Sequence, residues 1–133
     1  MSEANIATIQ SIYEAFGRGD VASILERVTD DVDWASESSS TIAPWHGVRH
    51  GKAEVTGFFE AFGTASDVIE FTPLSFTANE SGDVMAVVRL DMKVRATGRS
   101  GAMNIHHWWR LRDGKVWHYR GTEDTALVAS LLG

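Results

Sequence analysis

The sequence predicts an α+β domain in which helices pack on one face of a curved antiparallel sheet. Two patterns predict it: the first half carries apolar residues at helical spacing, and the second half carries alternating runs separated by turn residues. The order is a third indication. Helices come first and strands after, with no internal repeat or linker, so residues 1–133 read as a single domain. At 44% hydrophobic, a chain of this length buries a core without disulfides or metal staples.

The elements follow in order. Ile6, Ile9, Tyr13 and Phe16 recur along one helix face, and Gly17 and Gly19 end that run. Asp20 caps a second helical run carrying Val21, Ile24, Leu25 and Val28, which makes a helical hairpin. Asp31-Val32-Asp33-Trp34-Ala35 is a short strand, and residues 36–43 form a polar loop rich in serine. After Gly47 and Gly51, the residues Val55, Phe58, Phe59 and Phe62 mark a third helix that ends at Gly63. Alternating strands follow over about 68–77, 84–96, 102–112 and 115–122, with turn residues between them. Pro73 places the first of these at an edge or a bulge. Asp124 opens a C-terminal helix over 125–132 as its N-cap.

Composition removes several classes of function. There is no cysteine, so disulfide frameworks and thiol chemistry are excluded. The net charge is -6, and the basic residues are interspersed with Asp91, Asp113 and Glu123, so a phosphate-tracking surface and a nucleic-acid partner are not expected. The start, Met1-Ser2-Glu3-Ala4, lacks a basic region followed by an apolar run, and no apolar segment approaches the ~18 residues of a membrane span. The expectation is a cytoplasmic protein with no membrane partner. His46 and His50 have a spacing seen in metal ligands, but Gly47 between them argues against a helix and few carboxylates accompany them; no metal and no cofactor are expected. Gly82, Gly98, Gly101 and Gly114 are turn residues and form no phosphate loop.

The last hairpin carries most of the functional signal, and its register decides which side chains meet. A two-residue Asp113-Gly114 turn sets Trp109 beside His118 and mixes aromatic with charged groups on each face. A three-residue loop through Arg112, Asp113 and Gly114 separates polarity better. Ile105, His107, Trp109 and Leu111 then share the concave face with Trp117, Tyr119 and Gly121, while His106, Trp108, Arg110, Arg112, His118 and Arg120 share the other. The second register is the expected one.

In the preceding strand Val84, Ala86, Val88, Leu90, Met92 and Val94 alternate with Met85, Val87, Arg89, Asp91, Lys93 and Arg95. Two arrangements satisfy this pattern. Either the apolar set faces the helices and the charged set faces water, or Arg89 and Asp91 point into a pocket and the apolar set is covered by a second subunit. In the second arrangement a carboxylate paired with arginine in a dry cleft is a general acid or base.

The helical hairpin, Asp30-Asp31-Val32-Asp33-Trp34, the helix start at Gly51-Lys52, and the closing Trp109-Arg-Leu-Arg-Asp-Gly-Lys-Val with Tyr119-Arg120 and Asp124-Thr-Ala together resemble the SnoaL-like group of the nuclear transport factor 2-like superfamily. That superfamily includes polyketide cyclases, steroid isomerases and limonene epoxide hydrolase. The resemblance covers nearly the whole chain. It implies a conical barrel, a curved sheet wrapped around three helices with a short C-terminal helix, a deep apolar pocket, and dimerisation through the outer face of the sheet. It favours the second arrangement of the central strand. Arg89-Leu90-Asp91 is similar to the Arg-x-Asp of limonene epoxide hydrolase, in which the Asp donates a proton and the Arg orients it. The water-activating carboxylate of that enzyme falls at Gly121, and its Tyr and Asn helpers fall at Trp34 and Ser36. The base of the steroid isomerases falls near Ser36, with Glu37 beside it.

The resulting expectation is a pocket protein for an aromatic, polyketide-like or terpenoid small molecule, acting by cofactor-independent proton transfer, isomerisation or cyclisation. Asp91 is the expected acid/base, oriented by Arg89, with His107 and Tyr119 donating hydrogen bonds to an oxyanion. Trp34, Glu37, Trp45, His46, Phe59, Phe62, Trp109 and Trp117 are the expected ligand contacts. A homodimer is expected through an outer sheet face of Val88, Leu90, Met92, Val94 and Trp108. Two readings compete: a non-catalytic binding module, which follows from the missing carboxylate at Gly121, and an accessory domain whose apolar sheet face docks a partner.

Overall fold

The computed structural model describes residues 2–133. Helix α1 (Ser2–Gly17) and the short α2 (Val21–Leu25) form the helical hairpin, followed by strands β1 (Val28–Ser36) and β2 (Gly47–His50) and helix α3 (Gly51–Ala65). Strands β3 (Ser66–Ala78), β4 (Asp83–Val94), β5 (Ser100–Arg112) and β6 (Lys115–Thr122) complete the sheet, and α4 (Thr125–Leu132) closes the chain. The order across the sheet is β2-β1-β6-β5-β4-β3, so the sheet is curved but unclosed, with edges at β2 and β3. Among the described residues, no helix is long and apolar enough to cross a membrane.

The α+β class holds, and several details differ from expectation. One strand pair, β1 with β6, is parallel. It draws Val28 out of the second helix: Val28 pairs with Val116, and the Val116 N–H donates to the Arg27 carbonyl at 2.9 Å, so α2 stops at Leu25. Strand β2 carried no apolar alternation to reveal it, because it is a short edge whose Val48 is exposed. Helix α3 runs past Gly63 to Ala65. Pro73 does lie on an edge strand, beside a register shift between Pro73 and Ser75; a second shift lies between Val68 and Glu70. These shifts leave Ile69 and Leu74 unpaired and exposed, and each bends the strand.

The β5–β6 hairpin combines both registers weighed above. Arg112 pairs with Lys115, so the turn has two residues; Asp113 (φ 53) and Gly114 (φ 79) both take the left-handed conformation of a type I′ turn. A bulge between Arg110 and Leu111 then restores the face, so that Trp109 meets Tyr119 and His107 meets Gly121. The extra residue is Trp117, which the bulge turns outward. There it lies under the guanidinium groups of Arg110 and Arg112, at 4.9 and 5.1 Å from the ring centroid. The expected place of Trp117 on the concave face is therefore corrected.

The central strand takes the first of its two arrangements. Val88, Leu90, Met92 and Val94 are all buried in the core of their own chain against the helices, and Arg89 is exposed. The expected outer face of these four residues is thus corrected, and only Trp108 of that set lies outside. The reason is energetic. Turning the strand over would bury Arg89, Lys93 and Arg95 against one carboxylate, at several kcal/mol per unpaired charge, whereas the apolar set is suited to the helices.

Candidate functional site

The concave face and the helices enclose a cavity of about 80 Å³. Its sheet side is formed by Trp34 of β1, Leu90 of β4, Ile105, His107 and Trp109 of β5, and Tyr119 of β6. Its helix side is formed by Tyr13 and Phe16 of α1 and by Phe58, Phe59 and Phe62 of α3. Aromatic rings meet along its sheet side: the Trp34 ring centroid lies 4.1 Å from that of Tyr119 and 5.6 Å from that of Trp109, and Trp109 lies 4.5 Å from Tyr119. Such a lining favours a flat apolar ligand.

Within this lining runs a hydrogen-bond chain. The Trp109 indole N–H donates to the Tyr13 hydroxyl at 3.1 Å, and that hydroxyl bonds His107 Nδ1 at 2.7 Å. The tyrosine proton is assigned to the bond with Nδ1, and the His107 hydrogen to Nε2. Burial keeps all three groups neutral. The Tyr13 and Tyr119 hydroxyls are pushed well above their ordinary range by loss of solvent, and His107 falls to about 3 through desolvation, with His106 adding a smaller effect. A neutral donor next to an apolar cavity can stabilise developing negative charge on a ligand oxygen.

The His107 shift has a consequence for stability. Because the folded protein holds this imidazole neutral, unfolding takes up a proton between about pH 6.5 and 3. The contribution is complete above pH 6.5 and is lost as the pH falls, with a limiting slope of about 1.4 kcal/mol per unit. Thermal melts of wild type and His107→Gln between pH 7 and 4.5 should show a steeper loss in the wild type. Parallel curves would refute the assignment.

A second polar cluster borders the cavity at Glu123, which follows β6. The Trp45 indole donates to Glu123 Oε1 at 3.1 Å, and His46 Nε2 bonds the same oxygen. The His46 and Glu123 side chains are only 1% and 9% exposed, so this is a buried carboxylate held by two N–H donors. Its Oε2 has only a longer contact of 3.4 Å from Trp45 and remains available to a ligand. His46 Nδ1 is buried without a partner among the described residues. The Trp34 indole N–H is likewise buried and unpartnered.

The structure brings together some of the expected residues and separates others. His107, Tyr119, Trp34, Trp45, Phe59, Phe62 and Trp109 line the cavity, and His46 supports it through Glu123. Asp91 and Arg89 do not. Both lie on the outer side of β4, Asp91 half-buried opposite Ala102 and Glu70, because the strand between them turns Leu90 inward. The expected acid/base pair is therefore corrected. Glu37 is also corrected: its side chain is exposed, and its backbone N–H donates to the Gly121 carbonyl at 2.8 Å. His50 is exposed while His46 is occupied by Glu123, so the pair does not converge.

Tyr13 and Glu123 were the residues that sequence reasoning passed over. Tyr13 reads as one more apolar position of α1, although it is the one position of the Ile9–Phe16 stripe with a polar tip. Glu123 reads as part of the cap of α4; Asp124 alone performs that task, accepting from Leu127 N at 3.0 Å, which leaves Glu123 free to turn inward.

Gly121 has a specific role. A Cβ there would run into the Tyr119 hydroxyl and lie 2.8 Å from its ring Cζ, so the absent side chain is what lets Tyr119 fold over the cavity.

The arrangement of sheet and helices is that of the nuclear transport factor 2-like fold. An NTF2-like protein of unknown function from Burkholderia pseudomallei is 26% identical, with a TM-score of 0.88 over 99% of this chain and 98% of that one. TerC, crystallised with polyporic acid, is 22% identical, with a TM-score of 0.87 over 97% of this chain and 98% of its own. A protein from Xanthomonas campestris, provisionally assigned as a polyketide cyclase, is 17% identical with a TM-score of 0.81, over 99% and 98% of the two chains. Residues 9–119 match the model of the SnoaL-like domain, and the chain belongs to that family. No curated protein matches it.

Proposed function

We propose that this protein binds a small, flat, oxygen-bearing aromatic, polyketide-like or terpenoid molecule in the cavity and catalyses a cofactor-independent isomerisation or cyclisation by proton transfer. The observation that carries the reading is the Glu123 carboxylate, held by Trp45 and His46 at the border of a cavity that also contains the Tyr13–His107 pair and Tyr119. Glu123 Oε2 takes a proton from carbon next to a ligand carbonyl. The C–H electron pair forms a carbon–carbon double bond, and the carbonyl π pair moves to oxygen, where His107 Nε2–H and the Tyr119 hydroxyl donate to it. Return of the proton to another carbon gives the isomer. The likeness to TerC supports an aromatic ligand through the fold alone.

Two probes test this. 2-Naphthol should quench the tryptophans of the cavity on titration, and 2-tetralone in D2O should lose its α-hydrogens faster than in buffer, read by proton NMR. Binding without exchange would favour the non-catalytic container, a reading motivated by the absence of a carboxylate at Gly121. No binding of either probe would overturn the pocket itself.

A homodimer through the outer sheet face belongs to the same proposal. It is supported by Met85 and Trp108, register partners on β4 and β5 that are both exposed. Light scattering should give a dimer for the wild type and a monomer for Trp108→Glu, and a monomeric wild type would remove this part of the proposal.

A further inference from the structure

A second hollow, of about 370 Å³, lies between the end of α1, the α1–α2 turn, the end of α3 and the start of β3. Four of its lining residues, Phe16, Phe59, Phe62 and Phe71, also line the inner cavity. The partition between the two is therefore one layer of phenyl rings, with Phe16 as its hub: its centroid lies 4.9 Å from Phe71 and 6.2 Å from both Phe59 and Phe62. Phe16, Phe59 and Phe71 are only half-buried, so these rings keep apolar surface uncovered. The rest of the lining has almost no polarity. Gly17, Gly19, Val21, Gly63 and Val68 contribute hydrocarbon or bare backbone, and the one polar side chain, Ser66, already donates its hydroxyl to the Phe62 carbonyl at 2.7 Å. Gly17, Gly19 and Gly63 have nothing within 4 Å of where a Cβ would stand, so it is their missing side chains that leave the space open.

From these observations we infer that this outer bay is a second subsite, which holds the apolar arm, an aryl or alkyl substituent, of the same ligand whose oxygen-bearing ring occupies the inner cavity. The inference rests on the function proposed above. It extends the substrate class from a compact ring to an elongated molecule with polarity at one end and hydrocarbon at the other. The inner cavity, at about 80 Å³, is the smaller of the two spaces. Occupying both spaces requires the Phe16 ring, at the hub of the partition, to turn aside. Once the arm is seated, it covers the phenyl surface that the free protein leaves exposed, and the bay offers no hydrogen-bonding side chain that would be stranded by it.

The test compares 2-naphthol with 6-phenyl-2-naphthol by fluorescence titration, using wild type, Gly63→Leu and Gly17→Leu. Both glycines are helical positions with ordinary φ and open space at Cβ, so leucine fills the bay without backbone strain. The wild type should bind the phenyl-substituted probe at least tenfold tighter than 2-naphthol. Each leucine variant should abolish that preference while leaving 2-naphthol affinity within twofold. Equal affinities in the wild type, or a preference that survives in both filled variants, would overturn the second subsite while leaving the inner site intact. Failure of both probes to bind the wild type would instead remove the inner site, and the subsite with it.

Discussion

Glu123→Gln should lower the rate of 2-tetralone deuterium exchange by about 10²–10⁴, the usual contribution of a positioned general base, while leaving the fold and 2-naphthol binding intact. The amide keeps the shape of the carboxyl and can still accept from the Trp45 indole, which now donates to Oε1 at 3.1 Å. With its oxygen in the place of Oε1, the amide also accepts from His46 Nε2–H. What is lost is the basicity. The side chain is 9% exposed, so bulk water has little access to replace it. His46→Asn should have a smaller effect, because it alters the orientation of the carboxylate and not its identity. Asp91→Asn should have none, since Asp91 lies on the other side of the sheet. Exchange by Glu123→Gln at the wild-type rate would overturn the assignment of the base.

The second large effect concerns Gly121. Any side chain at this position meets the Tyr119 hydroxyl and ring, so Gly121→Ala should cost about 1–3 kcal/mol, the range for overpacking a filled core. Gly121→Asp should cost more, because it also places a carboxylate beside the buried Tyr119 and near Glu123. The contact predicts a specific coupling. In Tyr119→Ala the space over Gly121 opens, and adding Gly121→Ala should then cost far less than it does alone. Denaturant unfolding of the four proteins measures this, and additive costs would mean that the two positions are independent. Installing a hydrolase-like carboxylate at 121 therefore fails for a reason internal to this chain: Tyr119 already occupies that place.

The same residues show what the sequence could reveal. The α+β class, the helical hairpin and the four long strands were legible because each rests on a periodicity extending over many residues. The concave set His107, Trp109 and Tyr119 was also legible, although it was placed correctly through a compensating pair of features. The turn is shorter than expected, and a bulge at Trp117 restores the alternation. Bulges depend on local packing, here the stacking of Arg110 and Arg112 on the displaced indole, and leave no periodic trace. The orientation of β4 is illegible for a different reason. Period-2 alternation gives two faces but does not say which one the helices cover; here the cost of burying three cations exceeds the attraction of an Arg-Asp pair. Glu123 escaped notice because its role depends on Trp45 and His46, 78 and 77 residues earlier in the chain. Long-range convergence of that kind is a property of the fold and not of any segment.

In a crystal structure with 2-naphthol bound, the naphthalene ring should lie between Trp34, Trp109 and Phe59, with its oxygen within hydrogen-bonding distance of His107 Nε2 or the Tyr119 hydroxyl and its edge toward Glu123. A ligand seated on the outer sheet face beside Arg89 and Asp91, with the cavity empty, would contradict it.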